Sequence, residues 1–334
     1  MTAKLDSNTA SEFLGRCQGK LIAVIGDIML DRYFWGGVSR VSPEAPVPVI
    51  DVEKETSHLG GAANVAFNLK SLGCKPLLCG VVGNDNSGAI IRSIILQNEL
   101  SYEGIITLDT RPTTVKTRII GNNQHIARLD RERRDDISRN EVRQLVEVLI
   151  SQKDIAGIII EDYNKGVISA DLIDDTLQFA QERNIPVFVD PKHRNFFDFR
   201  NVTCFKPNRK EAQEALGFAL KTDEDVRRAG AILLERLQCE NALITLGERG
   251  MALFERNGDA DFVPTRARHI ADVSGAGDTT IAVLAAAYAG GASIRQAVRL
   301  ANVAAGLVCE EPGIVTIQTS RLLDALSASS SGDL

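Results

Sequence analysis

Asp272-Val273-Ser274-Gly275-Ala276-Gly277-Asp278 runs straight into the small-residue helix pattern Thr279 to Ala289. Three small residues, Gly275, Ala276 and Gly277, let the backbone bend so that successive N–H groups point one way. The helix behind them adds the positive end of its dipole. The spacing predicts a phosphate cradle. Asp278, in the first helical turn, is either a helix-stabilising charge or a base beside a phosphate being transferred, and the residues alone leave both readings open.

The rest of the chain narrows the class of protein. At 334 residues, 44% apolar and 25% charged, it can bury one large core or two modest ones. A net charge of −6 and a pI near 5.4 argue against broad nucleic-acid binding, so a phosphorylated ligand must be met by a local basic patch. No N-terminal run resembles a signal peptide, and no stretch approaches the ~20 apolar residues of a membrane span. A cytoplasmic protein with no membrane contact is expected. Cys17, Cys74, Cys79, Cys204, Cys239 and Cys309 form no Cys-x-x-Cys pair and the four histidines show no ligand spacing, so reduced, mostly buried thiols are expected and a dedicated zinc or iron site is not. There is no Gly-x-x-x-x-Gly-Lys-Ser/Thr loop, and Gly275-x-Gly277 lacks a third glycine at Thr280, so P-loop and dinucleotide fingerprints both fail.

Outward from the cradle, strand and helix patterns alternate. Leu21 to Ile25 is an unbroken apolar run ending in Gly26-Asp27, which reads as a buried parallel strand. Further strands are predicted at Pro76 to Val82, Ala156 to Ile160, Ile185 to Val189 and Val202 to Phe205. Helices are predicted near Ala63 to Leu72, Ser87 to Asn98, Ser138 to Ile150 and Ile294 to Cys309. This is βα repetition, with ligands at the C-terminal strand ends. That edge carries Asp27, Asp31 and Glu161-Asp162-Tyr163-Asn164-Lys165-Gly166, where Asp162 and Lys165 are candidates for a sugar or phosphate; a turn aspartate and a plain surface lysine are the alternatives. Asn64, at a helix start behind Gly60-Gly61, is either a cap or an amide for sugar hydroxyls. Asn208 followed by Glu211 is close to a capping box.

Two segments stand apart. Tyr33 to Glu55 interleaves Pro43, Pro46 and Pro48 with valines, which suits an edge strand or lid. Thr113 to Asp130 alternates and is broken by the turn signal Gly121-Asn122-Asn123. Alternation puts Lys116 and Arg118 on one face, and Arg128 could join them across the turn, giving the basic patch. The alternative is a solvated lid face. Arg131 to Asp136 reads as a solvated, mixed-sign lead into the next helix. One domain spans 1–330, with lid segments at about 32–58 and 111–131 and a frayed tail over 327–334.

Asp-x-x-Gly-Ala-Gly-Asp resembles the C-terminal signature of the ribokinase (carbohydrate kinase PfkB) family, and Gly60-Gly61-Ala62-Ala63-Asn64 with Gly73 resembles its N-terminal signature. One departure is Val283 after Ala282, where many members have two small residues, so packing behind the cradle is expected to differ slightly. The resemblance implies a three-layer α/β/α sandwich with a small β-sheet lid, and an ATP- and Mg2+-dependent sugar kinase. Asp278 would be the base, and the N–H groups of Gly275, Ala276 and Gly277 would steady the transferred group. Asp31, Gly60, Gly61 and Asn64 would bind sugar hydroxyls. Asn208 and Glu211 would order water and magnesium, Thr245, Gly247 and Gly250 would lie along the phosphates, and Asn302 would contact adenine.

A monovalent cation such as K+ and a homodimer through the lid are also in keeping with the family. Gly26 to Tyr33, Ser42 to Val49 and Glu161 to Gly166 look like the branch acting on O1 of D-glycero-β-D-manno-heptose 7-phosphate, on the way to ADP-heptose and the lipopolysaccharide core. Members of that branch often carry a fused nucleotidyltransferase, so a separate partner enzyme is expected here. A kinase for another sugar phosphate, such as fructose 6-phosphate, and a non-catalytic sugar-binding regulator are the rival readings.

Overall fold

A computed structural model of the chain describes residues 5–265 and 269–330. In chain order its elements begin with α1 (Ser7–Arg16), β1 (Leu21–Gly26), β2 (Ile28–Val41), β3 (Pro48–Gly61), α2 (Ala62–Ser71), β4 (Lys75–Gly83), α3 (Asn86–Gln97), β5 (Ile105–Leu108), β6 (Thr114–Gly121) and β7 (Gln124–Arg131). They continue with α4 (Arg139–Ser151), β8 (Ile155–Glu161), α5 (Ala170–Glu182), β9 (Val187–Asp190), β10 (Cys204–Phe205), α6 (Arg209–Leu216), α7 (Asp223–Leu237), β11 (Asn241–Thr245), β12 (Met251–Glu255), β13 (Ala260–Val263), α8 (Ala276–Ala289), α9 (Ile294–Cys309) and α10 (Thr319–Ser330).

Nine strands form the main sheet in the order β13-β12-β11-β10-β9-β8-β1-β4-β5. All pairs from β5 to β11 are parallel, and β12 and β13 are antiparallel at the edge. Alternation along β1 shows why helices cover both faces. Ile22 and Val24 pack with α1, α2, α8 and α9 on one side, while Ala23 and Ile25 pack with α4, α5 and α7 on the other. From Ile281 to Ala287 every residue of α8 is buried, which its run of small apolar side chains permits.

The lid is a second sheet, β3-β2-β6-β7. It begins at Ile28, two residues after β1 ends at Gly26, so the chain passes from main sheet to lid through Asp27 alone and earlier than position 32. Pro43 and Pro46 fall in the connection at the tip and Pro48 opens β3, positions where a missing N–H is tolerated. Asn122 and Asn123 have φ of 49° and 62°, the left-handed pair a tight hairpin demands.

Some boundaries differ from the sequence reading. Ile185 is not in a strand, because its N–H closes α5 on Ala180 O and the next residue is Pro186, so β9 starts at Val187. Val202 and Thr203 likewise precede β10. Helix α10 continues to Ser330, past the point where a frayed tail was expected to begin, with Ser327 Oγ bonded to Leu323 O. Residues 331–334 lie outside the described residues. Five of the cysteines are buried, and none forms a disulfide among the described residues. No described helix is long and apolar enough to cross a membrane.

Candidate active site

Because β1, β8, β9, β10 and β11 run parallel, their C-terminal ends meet at one edge, and α8 starts at that edge. The bend falls where the sequence predicts it, at the start of α8. Asp272 Oδ1 accepts Ser274 N–H at 2.9 Å and Oδ2 accepts Gly313 N–H at 3.1 Å, which fixes the bend. Gly275 caps α8 with φ 78°, and a Cβ there would sit 2.9 Å from Asn64 Nδ2. The Ala276 N–H points to Val273 O at 3.3 Å, so one of the three amides assigned to the cradle has an internal acceptor here.

Asp278 is 3% exposed, and its carboxylate meets polar groups rather than the apolar core. Asn64 Nδ2 donates to Oδ2 at 2.7 Å and Tyr163 Oη donates to Oδ1 at 2.8 Å. Asn64 thus holds the carboxylate through Nδ2, and its Oδ1 accepts Asn68 Nδ2 at 3.3 Å. Burial pushes the Asp278 pKa up to about 6, while the donors Asn64 and Tyr163 hold it down.

Under the cradle lies a charged layer that the sequence reading marked only as strand ends. Asp190 pairs with Lys206 at 2.6 Å, both buried. Glu161 is fully buried with no hydrogen-bond partner on either oxygen among the described residues. Burial, then Asp190 and Asp278, raise its pKa well above the ordinary carboxylate value. Lys192 pairs with Glu211. Strand-end position was the available signal for Glu161, Asp190, Lys192 and Lys206.

On the lid side Asp31 bonds Arg118, whose guanidinium lies 5.0 Å over the Tyr33 ring. The backbone register sets Asp31 opposite Lys116. The Lys116 ammonium rests 5.0 Å over the Tyr163 ring and makes no ion pair among the described residues; burial lowers its pKa. Gly60 and Gly61 are required by close approach: a Cβ on Gly61 would lie 2.3 Å from Asp27 O. Arg128 faces Arg118 across the hairpin but is held by Asp130 in two bonds of 3.0 and 2.9 Å, so it does not reach the pocket. Lys165 is paired with Glu132 at 2.5 Å. Asp162 turns inward, with Oδ1 on Asn164 N–H at 2.6 Å and its pKa pushed up to about 7 by burial. Asp27 accepts the N–H groups of Tyr163, Lys165 and Val167, a scaffold role for this turn.

Opposite the lid, a cleft of about 170 Å³ is lined by Thr245, Gly247, Gly250, Gly277 and Asn302 among others. Asn302 Nδ2 is committed to Pro264 O at 2.7 Å, so it holds the cleft wall. Asn208 and Glu211 form a reciprocal capping box, Asn208 N–H to Glu211 Oε2 at 2.7 Å and Glu211 N–H to Asn208 Oδ1 at 2.9 Å. Among the described residues no cluster of three or more His, Cys, Asp or Glu could hold a metal. A magnesium ion carried mainly by phosphates and water needs few protein ligands; both Glu211 oxygens have donors here, Lys192 Nζ on Oε1 and the Asn208 N–H on Oε2.

What this edge can do is move a phosphoryl group onto an alcohol oxygen, since an anion cradle and a carboxylate share the first turn of one helix. Residues 20–320 match the pfkB family carbohydrate kinase, and the chain belongs to that family. It is a phosphotransferase acting on a sugar hydroxyl, in a family that uses ATP and usually Mg2+. "Bifunctional protein HldE" of Geobacter sulfurreducens is 44% identical over 304 residues, covering 91% of this chain and 62% of that protein. Its namesake in Syntrophotalea carbinolica is 37% identical over 324 residues, covering 97% and 66%. The chain thus spans under two thirds of these relatives' length. Among solved structures, phosphofructokinase-2 from Escherichia coli in complex with fructose-6-phosphate has a TM-score of 0.76 at 17% identity, covering 94% of this chain and 100% of that one. Arabidopsis thaliana ribokinase complexed with ribose and ATP has a TM-score of 0.73 at 18% identity, covering 92% and 99%. The ribokinase-like fold follows from these matches.

Proposed function

We propose that the chain uses ATP to phosphorylate the anomeric O1 of D-glycero-β-D-manno-heptose 7-phosphate, giving the 1,7-bisphosphate on the way to ADP-heptose and the lipopolysaccharide core. The observation that carries the substrate reading is Lys116, a half-buried ammonium with no carboxylate partner among the described residues, set against the tyrosine that touches Asp278. A desolvated cation of this kind favours an incoming phosphate.

Asp278 takes the proton of the sugar hydroxyl. Each of its oxygens has one donor and keeps a lone pair for that hydroxyl. As the new O–P bond forms, the bond to the leaving ADP breaks, and the first-turn amides of α8 other than that of Ala276 would steady the transferred group. Asp31, fixed by Arg118, and the bare backbone at Gly60 and Gly61 receive sugar hydroxyls. Glu211 would hold magnesium through water, where the ion neutralises phosphate charge. The Thr245 to Gly250 turn would flank the phosphates. A monovalent cation such as K+ is part of the proposal, as are a cytoplasmic location and a homodimer through the lid, whose Val41, Val47, Val52 and Leu129 are exposed.

An ADP-release assay over a sugar panel tests the reading. Heptose 7-phosphate should exceed fructose 6-phosphate by roughly 100-fold or more in kcat/KM. The reverse order would move the enzyme to another branch, and no turnover with any sugar would leave a binding protein.

A further inference from the structure

Tyr163 joins the two halves of the site. Its N–H donates to Asp27 Oδ2 at 2.8 Å, and its hydroxyl donates to Asp278 Oδ1 at the same distance. The ring lies between two ammonium groups, Lys116 from β6 and Lys192 from the loop after β9, each 5.0 Å from its centroid. Asn164, next in sequence, has φ 57°, so the turn pinned by Asp27 decides where the phenol points. Burial and then Asp278 hold the phenol pKa well above its usual value, which keeps the hydroxyl a donor at every working pH.

The carboxylate of Asp278 is faced from five elements. Asp190 from the end of β9 disfavours its charge, and Glu161 at the end of β8 has its own pKa raised in part by Asp278. Lys206 after β10 favours the charge, as do Asn64 from α2 and Tyr163 after β8. A base that takes up a proton from solvent cannot accept one from a sugar. With burial and Asp190 pressing the group towards neutrality, the donated hydrogen bonds decide whether it works near neutral pH.

We propose that Tyr163 is a positioning residue for phosphoryl transfer: its hydroxyl fixes the Asp278 carboxylate against Asn64 and keeps it an acceptor while the sugar hydroxyl approaches. The proposal rests on Asp278 being the base. The sugar proton passes to Asp278, the O–P bond forms as the bond to ADP breaks, and Tyr163 keeps its own proton throughout.

The test compares pH profiles of kcat/KM for the wild type, Tyr163→Phe, Asp278→Asn and a variant carrying 3-fluorotyrosine at position 163. Tyr163→Phe should displace the acid limb to higher pH, leaving activity roughly tenfold below wild type at pH 6 and within about twofold at pH 8.5. The KM for ATP should stay unchanged. The fluorinated phenol, a stronger donor of the same shape, should move the limb the opposite way, and it decides the matter if the Phe variant misfolds. An acid limb that stays put in both variants overturns the role of Tyr163. Near-normal turnover of Asp278→Asn overturns instead the reading of Asp278 as base, whatever the tyrosine variants do.

Discussion

A Cβ built on Gly60 would lie 2.2 Å from Oδ2 of Asp31, while Oδ1 of the same carboxylate is bound by Arg118. The carboxylate is held from both sides, so a methyl group at position 60 must push it off the guanidinium. Gly60→Ala should raise the KM for sugar by roughly 10- to 100-fold, the equivalent of about 1.4–2.7 kcal/mol, with the KM for ATP nearly unchanged. Equal rises in both constants, measured by steady-state kinetics, would point to a general loss of folding instead.

Asp278→Asn should lower turnover by roughly 100- to 10,000-fold, the usual contribution of a general base, and leave nucleotide binding intact by calorimetry. The same variant should be the more stable protein at neutral pH. A carboxylate whose folded pKa is raised from 3.8 to about 6 contributes stability that is fully present below the lower value and lost as pH rises through the upper one. Removing the charge therefore stabilises the fold by on the order of 1–3 kcal/mol above pH 6 and not below pH 4. Denaturant midpoints at the two pH values measure the difference.

The main sheet and the cradle were legible because apolar runs and glycines at strand ends are local signals. The side chains around the cradle were less so. In Glu161 to Gly166 the sequence drew attention to Asp162 and Lys165, yet the left-handed Asn164 turns Asp162 inward and sends the Tyr163 hydroxyl to Asp278. An irregular turn has no period from which direction can be read. Arg131 to Asp136 is the solvated run it looked like except at Glu132, which pairs with the distant Lys165; the exposed Asp136 pairs with Arg194. Pairing at such separations is set by topology. The same cause hid the Lys192–Glu211 contact, which joins the ends of two different strand-to-helix connections.

Lys116 and Arg118 share one face of β6, but their partners differ and so should their variants. Lys116→Met keeps the aliphatic stem over Tyr163 and removes the charge, so it should weaken a phosphorylated sugar by roughly 10- to 100-fold and spare its unphosphorylated analogue. Arg118→Met strips Asp31 of its partner and should weaken both sugars alike. Isothermal titration with the two ligands separates the cases. A uniform loss in the Lys116 variant would remove it as the phosphate contact.

Asp27 accepts three backbone N–H groups, those of Tyr163 and Lys165 at 2.8 and 3.0 Å on Oδ2 and that of Val167 at 3.2 Å on Oδ1. An amide in its place has one oxygen. Asp27→Asn should orient that oxygen towards the two shorter bonds and set its NH2 against the Val167 N–H, a buried donor facing a donor, at a cost of about 1–3 kcal/mol. Hydrogen exchange should then accelerate at Val167 while Tyr163 and Lys165 stay protected, and turnover should fall only modestly because the phenol keeps its anchor. If the amide flips instead, protection is lost at Tyr163 and Lys165, and turnover should drop with it, since the hydroxyl that steadies Asp278 is carried by the released turn. Exchange and kinetics on one variant therefore report together whether the path from Asp27 through Tyr163 to Asp278 is mechanically continuous.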